Sequence, residues 1–157
     1  MFHTIEGFLR RICGNRIAVM VILLIVNIIL PANKAFSQCA PEVFSRECLE
    51  HLPEGFTYLK SYNVDGQQQS GDIIEYTSVL SKETHYSFQI CTPAIGADGI
   101  VLSIFDSNRN KLSSNAEGSN IDTQLIFKCQ STGIYYLVFS FSGSTDYCGG
   151  CVMSFKK

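Results

Sequence analysis

The sequence predicts an all-β fold, an antiparallel β-sandwich or jelly roll of about seven or eight strands, with a short N-terminal helix and a signal peptide before it. Three observations lead to this prediction. The 157-residue chain opens with a basic and then an apolar segment, six cysteines follow that segment, and apolar residues alternate after residue 56. Alternation with a period of two is typical of strands that bury one face.

The first 37 residues have the layout of a secretory signal. Three arginines between residues 10 and 16 precede an apolar run, 17–30, that ends at Pro31. As a helix this run would rise about 21 Å, short of the roughly 30 Å hydrocarbon core, which favours cleavage over a membrane anchor. The small-x-small site at 35–37 predicts a mature chain that begins at Gln38.

Three segments are therefore expected: a signal peptide at 1–37, a disulfide-tied helical segment at 38–55 and a β-sandwich domain at 56–157. The protein is expected to be exported, to the periplasm, the cell surface or the medium, with no stable membrane anchor after cleavage. Residues 38–157 hold 8 Lys and Arg against 13 Asp and Glu, a net charge of −5. This acidic balance without a basic cluster argues against a nucleic-acid partner.

Six cysteines remain after the predicted cleavage. Because an even number in an exported chain indicates disulfides, three bonds are expected, and fifteen connectivities are open. Proximity in sequence favours Cys39–Cys48, Cys91–Cys129 and Cys148–Cys151. The two glycines between Cys148 and Cys151 would let the backbone turn tightly enough for the sulfurs to meet.

Each element follows from its local pattern. Apolar residues at spacings of three and four after Pro41 predict a helix over 41–52, which the Pro-Glu-Gly at 53–55 ends. Turn residues at 65–71, 81–84, 106–110, 117–120 and 143–150 separate the strand candidates. The predicted strands are 56–62, 73–80, 85–91, 100–105, 111–115, 123–129, 134–141 and 152–155.

Several strand motifs carry a resemblance to a known family. These are Tyr86-x-Phe88, the apolar run from Val101 to Phe105 with Asp106, the Gly133-x-Tyr135-Tyr136-Leu137-x-Phe139 strand and the last strand ending at Phe155. Over about 72–157 the chain resembles the bacterial pre-peptidase C-terminal (PPC) domain, a β-sandwich, and the whole is similar to short exported proteins of Bacteroidota-type bacteria. The resemblance implies a non-catalytic module and supplies no ligand-binding residues.

Three motifs bear on redox chemistry or metals. Cys148-x-x-Cys151 is followed by a strand instead of leading a helix, which favours a structural disulfide over a redox pair. Cys48, His51, Cys148 and Cys151 have zinc-ligand spacing, but thiols oxidise in the expected compartment. Asp106, Asn108, Asn110 and Glu117 match part of a calcium loop, yet Lys111 stands where that loop needs glycine. No metal or cofactor is expected.

The function predicted is a secreted, non-catalytic module that binds a protein or an assembly at the cell envelope. The chain has no Gly-x-Ser-x-Gly elbow, and only His51 and His85 follow the signal, so an enzyme is not expected. Tyr58, Tyr62, Tyr76 and Tyr136 are binding candidates if they face outward, and core residues otherwise. The alternatives are a carbohydrate-binding module, with an envelope glycan as partner, or a small thiol–disulfide or envelope enzyme using Cys148 and Cys151.

Overall fold

A computed structural model describes residues 39–67, 73–93 and 96–157, which belong to one compact unit spanning 38–157. The predicted signal peptide lies outside the described residues. Among those described, no helix is long and apolar enough to cross a membrane. The helix α1 is Pro41–Leu49, and the strands are β1 Thr57–Asp65, β2 Ile74–Leu80, β3 His85–Cys91, β4 Ile100–Phe105, β5 Lys111–Ser114, β6 Ala116–Glu117, β7 Asn120–Ile121, β8 Gln124–Lys128, β9 Gly133–Phe141 and β10 Cys148–Lys156.

The strands form two four-stranded antiparallel sheets and a small hairpin. Sheet A has the order β1-β10-β3-β8, and sheet B has the order β2-β9-β4-β5, while β6 pairs only with β7. The two sheets contribute to one buried cluster, in which rings from opposite sheets meet. The Tyr62 and Phe139 centroids are 6.4 Å apart, and those of Phe127 and Tyr135 are 5.8 Å apart. The predicted fold class, an antiparallel β-sandwich with one short helix, is confirmed.

Alternation along the strands supplies this core. In β9 the buried positions are every second residue, and in β4 the core-facing Ile100, Leu102 and Ile104 are fully buried while the outward-facing Val101 and Phe105 are half-buried. The largest fully buried side chains of this core are Tyr62, Phe88, Phe139, Leu80, Ile90, Ile100, Leu102, Ile104, Leu137 and Val64. The hydrophobic effect over this area is the main force that holds the sheets together.

The observed boundaries differ from the predicted ones by more than one residue at four places. Strand β1 runs to Asp65 instead of ending at residue 62. The helix α1 ends at Leu49 instead of residue 52, because Glu50 and His51 already bond the last-turn carbonyls of Glu47 and Cys48 in a tight turn. Strand β10 begins at Cys148, inside the predicted loop 143–150. The hairpin β6–β7 occupies the predicted loop 117–120 and its flanks.

Two disulfides join the N-terminal segment to sheet A. Cys39 bonds to Cys148 at the start of β10, and Cys48 in α1 bonds to Cys91 at the end of β3. Cys129 and Cys151 are buried free thiols. The pairings predicted from proximity, Cys39–Cys48, Cys91–Cys129 and Cys148–Cys151, are therefore wrong.

Each wrong pairing has a geometric reason. Cys39 and Cys48 lie at opposite ends of α1, and nine helical residues rise about 13 Å. Cys91 ends β3, whereas Cys129 follows β8 beside Thr84, at the other end of the sheet. Cys148 and Cys151 are three residues apart in one strand, so their side chains point to opposite faces.

Helix α1 packs on the outer face of sheet A, over β10, β1 and β3. The two glycines of β10 allow this close packing. A Cβ on Gly150 would lie 2.5 Å from the Ser45 backbone nitrogen, and one on Gly149 would lie 2.7 Å from Ile100 Cδ1 in the core. The Gly-Gly pair therefore makes room on both faces of β10 instead of forming a turn.

Candidate functional site

The outer face of sheet B is the open face of the sandwich. Helix α1 covers sheet A, whereas no helix in the described ranges packs on sheet B. Cross-strand pairing places Val79 of β2 beside Ile134 of β9, and these apolar side chains are 70% and 48% exposed. The central positions of this open face are Glu75, Thr77, Val79, Ile134, Tyr136, Val138, Ser103 and Phe105.

Arg109 lies over this open face from the β4–β5 turn. The Asp106 carboxylate accepts hydrogen bonds from the Asn108 and Asn110 backbone N–H groups at 2.8 Å each, which fixes the turn. Within it Arg109 has a φ of +66°, a left-handed conformation in which glycine and asparagine are the usual residues. The turn therefore holds Arg109 at a local backbone cost.

The Arg109 guanidinium binds two partners on the open face. It donates both outer N–H groups to the Glu75 carboxylate of β2, with Nη2 to Oε1 at 3.0 Å. Its Cζ also lies 3.7 Å from the centre of the Tyr136 ring, within cation–π distance. The side-chain hydrogen bonds to Glu75 raise the pKa of Arg109 above its ordinary value. We call Arg109, Glu75 and Tyr136 the Arg109 cluster.

The four predicted binding tyrosines do not form one surface. Tyr62 is only 2% exposed in the core, and burial raises the pKa of its hydroxyl, which is hydrogen-bonded to Ser78 Oγ at 2.7 Å, to about 12. Tyr76 is half-buried, with its ring 5.0 Å from Tyr62. Tyr58 is exposed on β1 in sheet A, and Tyr136 lies on sheet B under Arg109. Tyr62 is therefore a core residue, one of the two alternatives that the sequence left open for these tyrosines.

The cysteines that the redox and zinc alternatives require are not free in the structure. Cys48 and Cys148 are in disulfides with Cys91 and Cys39, so neither is a thiolate for zinc or a partner for Cys151. Cys151 is fully buried, and desolvation raises the pKa of its thiol, which opposes formation of the reactive thiolate. The described part of the chain contains no group of three His, Cys, Asp or Glu that could hold a metal ion.

The partial calcium motif forms a hairpin turn. Besides its two backbone bonds, the Asp106 carboxylate accepts a hydrogen bond from Asn110 Nδ2 at 2.9 Å. Hydrogen bonds from the Asn110 side chain and backbone lower the pKa of Asp106. The Asp and Asn side chains of this segment therefore close a turn, the common use of these residue types.

The residues that sequence reasoning missed are Arg109 and Glu75. They are 34 positions apart and meet only because β2 and β4 both flank β9. One signal was present: Arg109 occupies a turn position at which glycine or asparagine is usual.

Comparison with known proteins finds no family, and the structural similarity that it finds is distant. No family model matches the chain, so membership of the PPC family is not shown, and no curated protein matches it. The solved structure of PliG from Aeromonas hydrophila, described as a periplasmic lysozyme inhibitor of g-type lysozyme, is similar at a TM-score of 0.41 and 15% identity. The match covers 65% of this chain and 87% of that one. At these values the two chains differ too much for the partner of one to bear on the other.

Proposed function

We propose that this protein is an exported, non-catalytic module that binds a protein partner at the cell envelope, after removal of a signal peptide at 1–37. The main support for this proposal is the open face of sheet B, with the Arg109 cluster and the exposed side chains of Val79 and Ile134. Export is supported by the two disulfides, because such bonds persist in oxidising compartments.

The composition of the open face favours a protein as partner. Arginine, tyrosine and other aromatic residues dominate binding energy at protein interfaces, where exposed apolar neighbours supply contact area. Arg109 contributes little to folding, since its ion pair is exposed and its backbone is in a disfavoured conformation. A partner that excludes water from the Arg109 cluster would strengthen these polar contacts.

The glycan alternative has fewer supporting contacts. A sugar ring stacks on an open aromatic face, but Arg109 covers one face of Tyr136. Tyr62 is in the core, and Tyr76 packs against Tyr62 and Phe139 with its hydroxyl bonded to the Asn63 carbonyl. Of the four candidate tyrosines, Tyr58 alone has an exposed ring without such a neighbour.

The test uses the protein expressed from the full chain and purified from the envelope fraction. Immobilised wild type and an Arg109→Ala variant are compared for retention of proteins from a detergent extract of the native envelope. Arg46→Ala is the matched control, because Arg46 is exposed on helix α1, which packs on sheet A and not on sheet B. We expect Arg109→Ala to reduce retention of one protein by about tenfold or more and Arg46→Ala to leave it unchanged. Equal retention by all three proteins would contradict the proposal.

A further inference from the structure

A groove lies along one side of the sandwich, between the edge strands β5 of sheet B and β8 of sheet A. Its volume is about 590 Å³. Three exposed apolar side chains line it: Leu112 at 45%, Ile126 at 53% and Ile134. Phe127 and Tyr135, packed edge to face, are also part of its wall.

The opposite side of the sandwich, between β1 and β2, has a smaller cavity of about 330 Å³, which Cys39 and Pro41 of the N-terminal segment help to line. The Tyr76 hydroxyl donates to the Asn63 carbonyl at 2.7 Å, and the Tyr62 hydroxyl bonds Ser78 Oγ at the same distance. The rings of Tyr62 and Tyr76 fill the space between these two strands. The groove at β5 and β8 is therefore larger and more apolar than the cavity on the β1 and β2 side.

Strand β8 presents free backbone groups along this groove. Ile90 donates to the Thr123 carbonyl, and Cys129 donates to the Thr84 carbonyl, so the odd-numbered residues of β8 bond to β3. The N–H and C=O groups of Gln124, Ile126 and Lys128 point the other way, where no strand in the described ranges pairs with them. An exposed edge of this kind is a template for another strand.

Positive charge surrounds the end of the sandwich at which this groove opens. The antiparallel order brings the turns 81–84, 106–110 and 129–132 and the last residues of β10 to one end. The acidic side chains there are Glu54, Glu83 and Asp106, and Asp106 is bound within its own turn. Two of the cations have carboxylate partners, since Lys82 lies 3.8 Å from Glu83 and Arg109 pairs with Glu75, so the excess of positive charge comes from the remaining lysines. Six of the eight Lys and Arg of residues 38–157 lie at this end: Lys82, Arg109, Lys111, Lys128, Lys156 and Lys157.

We infer that the edge of β8 receives an extended segment of a partner protein as an added strand. The segment carries apolar side chains at alternate positions, which fill the groove over Leu112, Ile126 and Ile134, and carboxylates beside them, which meet Lys128 and Lys111. Strand addition takes its affinity from main-chain hydrogen bonds and its selectivity from the pockets for alternate side chains. The inference rests on the proposed function in that the partner is a protein.

The probe is a short synthetic peptide in which valine and threonine alternate between two aspartates at each end. Its binding to the purified protein is measured by fluorescence anisotropy at low salt. Two control peptides have lysines in place of the aspartates, or N-methyl groups on every second amide. We expect the acidic peptide to bind and each control to bind at least tenfold more weakly, since one loses charge complementarity and the other its hydrogen bonds.

Two variants locate the peptide on the protein. Lys128→Glu should weaken binding about threefold to tenfold, while Lys60→Glu on the β1 edge should leave it unchanged. Ile126→Pro removes the outward N–H and keeps the ladder to β3, so it should abolish binding in a protein whose far-ultraviolet dichroism is unchanged. If this variant fails to fold, the N-methylated peptide gives the same information.

Three results would overturn strand addition at β8. One is no binding of the acidic peptide, and another is equal binding of the N-methylated peptide. The third is a concentration-dependent dimer of the protein alone that Lys128→Glu disrupts, which would assign the groove to a second copy of the chain. If the acidic peptide does not bind but a partner protein is still retained through Arg109, the proposed function stands and only strand addition at β8 is rejected.

Discussion

At the scale of single residues, the Asn115 side chain makes the hydrogen bonds to β4 that a neighbouring strand would otherwise make. Its Oδ1 accepts from the Leu102 N–H at 2.7 Å, and its Nδ2 donates to the Ile100 and Asp122 carbonyls at 3.1 and 2.7 Å. The residue is buried, so no water replaces these bonds. This side chain continues the hydrogen bonding of β4 after β5 has ended and ties the β6–β7 hairpin to it.

We expect Asn115→Ala to lower the free energy of unfolding by about 2–4 kcal/mol, because it leaves the buried Leu102 N–H and Ile100 carbonyl unpaired. Chemical denaturation measures the change. Asn108→Ala is the control, since the Asn108 side chain is exposed in the β4–β5 turn and should cost about 0.5 kcal/mol or less. Equal effects of the two substitutions would mean that the Asn115 bonds contribute little.

Asp98 makes stability depend on pH. Burial raises the pKa of its carboxyl, but hydrogen bonds from the Thr145 backbone and hydroxyl, the Asp146 backbone and Ser144 outweigh this, so the pKa is lowered below 3.8. A lowered folded-state pKa means that the unfolded chain binds the proton more readily. The contribution of Asp98 is therefore present above about pH 4 and is lost as the pH falls through the folded-state value.

The expected result is that Asp98→Asn unfolds more readily than wild type at pH 7 and that the difference shrinks as the pH is lowered toward 2. Urea unfolding at a series of pH values measures it. Glu117→Gln, in the neighbouring β6–β7 hairpin, should track wild type throughout. A difference for Asp98→Asn that stays constant with pH would show that the charge of Asp98 is not the source.

The sequence predicts residue roles well where they are local and poorly where they depend on topology. The turn at 106–110 follows from its Asp and Asn residues alone. The exposure of Tyr62 and Tyr136 cannot be predicted in this way, because it depends on which sheet each strand joins. The exposure of Tyr136 also depends on Arg109, which comes from another hairpin.

At the scale of elements, α1 is held to sheet A by one disulfide within it and one just before it more than by apolar contact. Cys48 is fully buried, while Val43 and Leu49 on the same helix are largely exposed. A nine-residue helix is too short to be stable alone in water. The loop of 43 residues closed by Cys48 and Cys91 limits the freedom of the unfolded chain and fixes the helix on β3.

Replacing Cys48 and Cys91 together by Ser should lower the free energy of unfolding by about 2–4 kcal/mol. Hydrogen exchange should quicken in α1 and on the outward side of β10 before it does in β4 and β9. Cys129→Ser, which removes a thiol outside any disulfide, is the comparison. If hydrogen exchange quickened equally over both sheets, α1 would not be a cover that can detach separately from sheet A.

Elements were predictable from periodicity, and their partners were not. Strands β3 and β4 have the boundaries that alternation and apolar runs indicate. The segment from Cys148 to Cys151 has the composition of a turn but forms a strand, because Gly149 and Gly150 let β4 and α1 approach β10 from opposite faces. Disulfide partners follow from that packing, which sequence spacing does not encode.

At the scale of the whole molecule, the disulfide pattern has a direct chemical readout. The protein as purified should show almost no reactive thiol when folded, because Cys129 and Cys151 are buried. In denaturant without reductant the chain that begins at Gln38 should show two, because Cys13 leaves with the predicted signal peptide. Peptide mapping should then recover Cys39 with Cys148 and Cys48 with Cys91. Finding no thiol after unfolding would contradict this pattern and indicate a third bond.

The whole molecule is a sandwich with one sheet covered by a disulfide-tied helix and the other left open, and the open sheet is the one that we propose for a protein partner. A photo-crosslinking residue at Val79, on the open face, tests this directly in the native envelope. Val43 is the matched position on α1, also a valine and 49% exposed. If the partner binds the open face of sheet B, position 79 should give one discrete crosslinked protein, which is lost when Arg109→Ala is added. Position 43 should give none. Crosslinks of equal yield and identity from both positions, or from position 43 alone, would contradict binding at the open face.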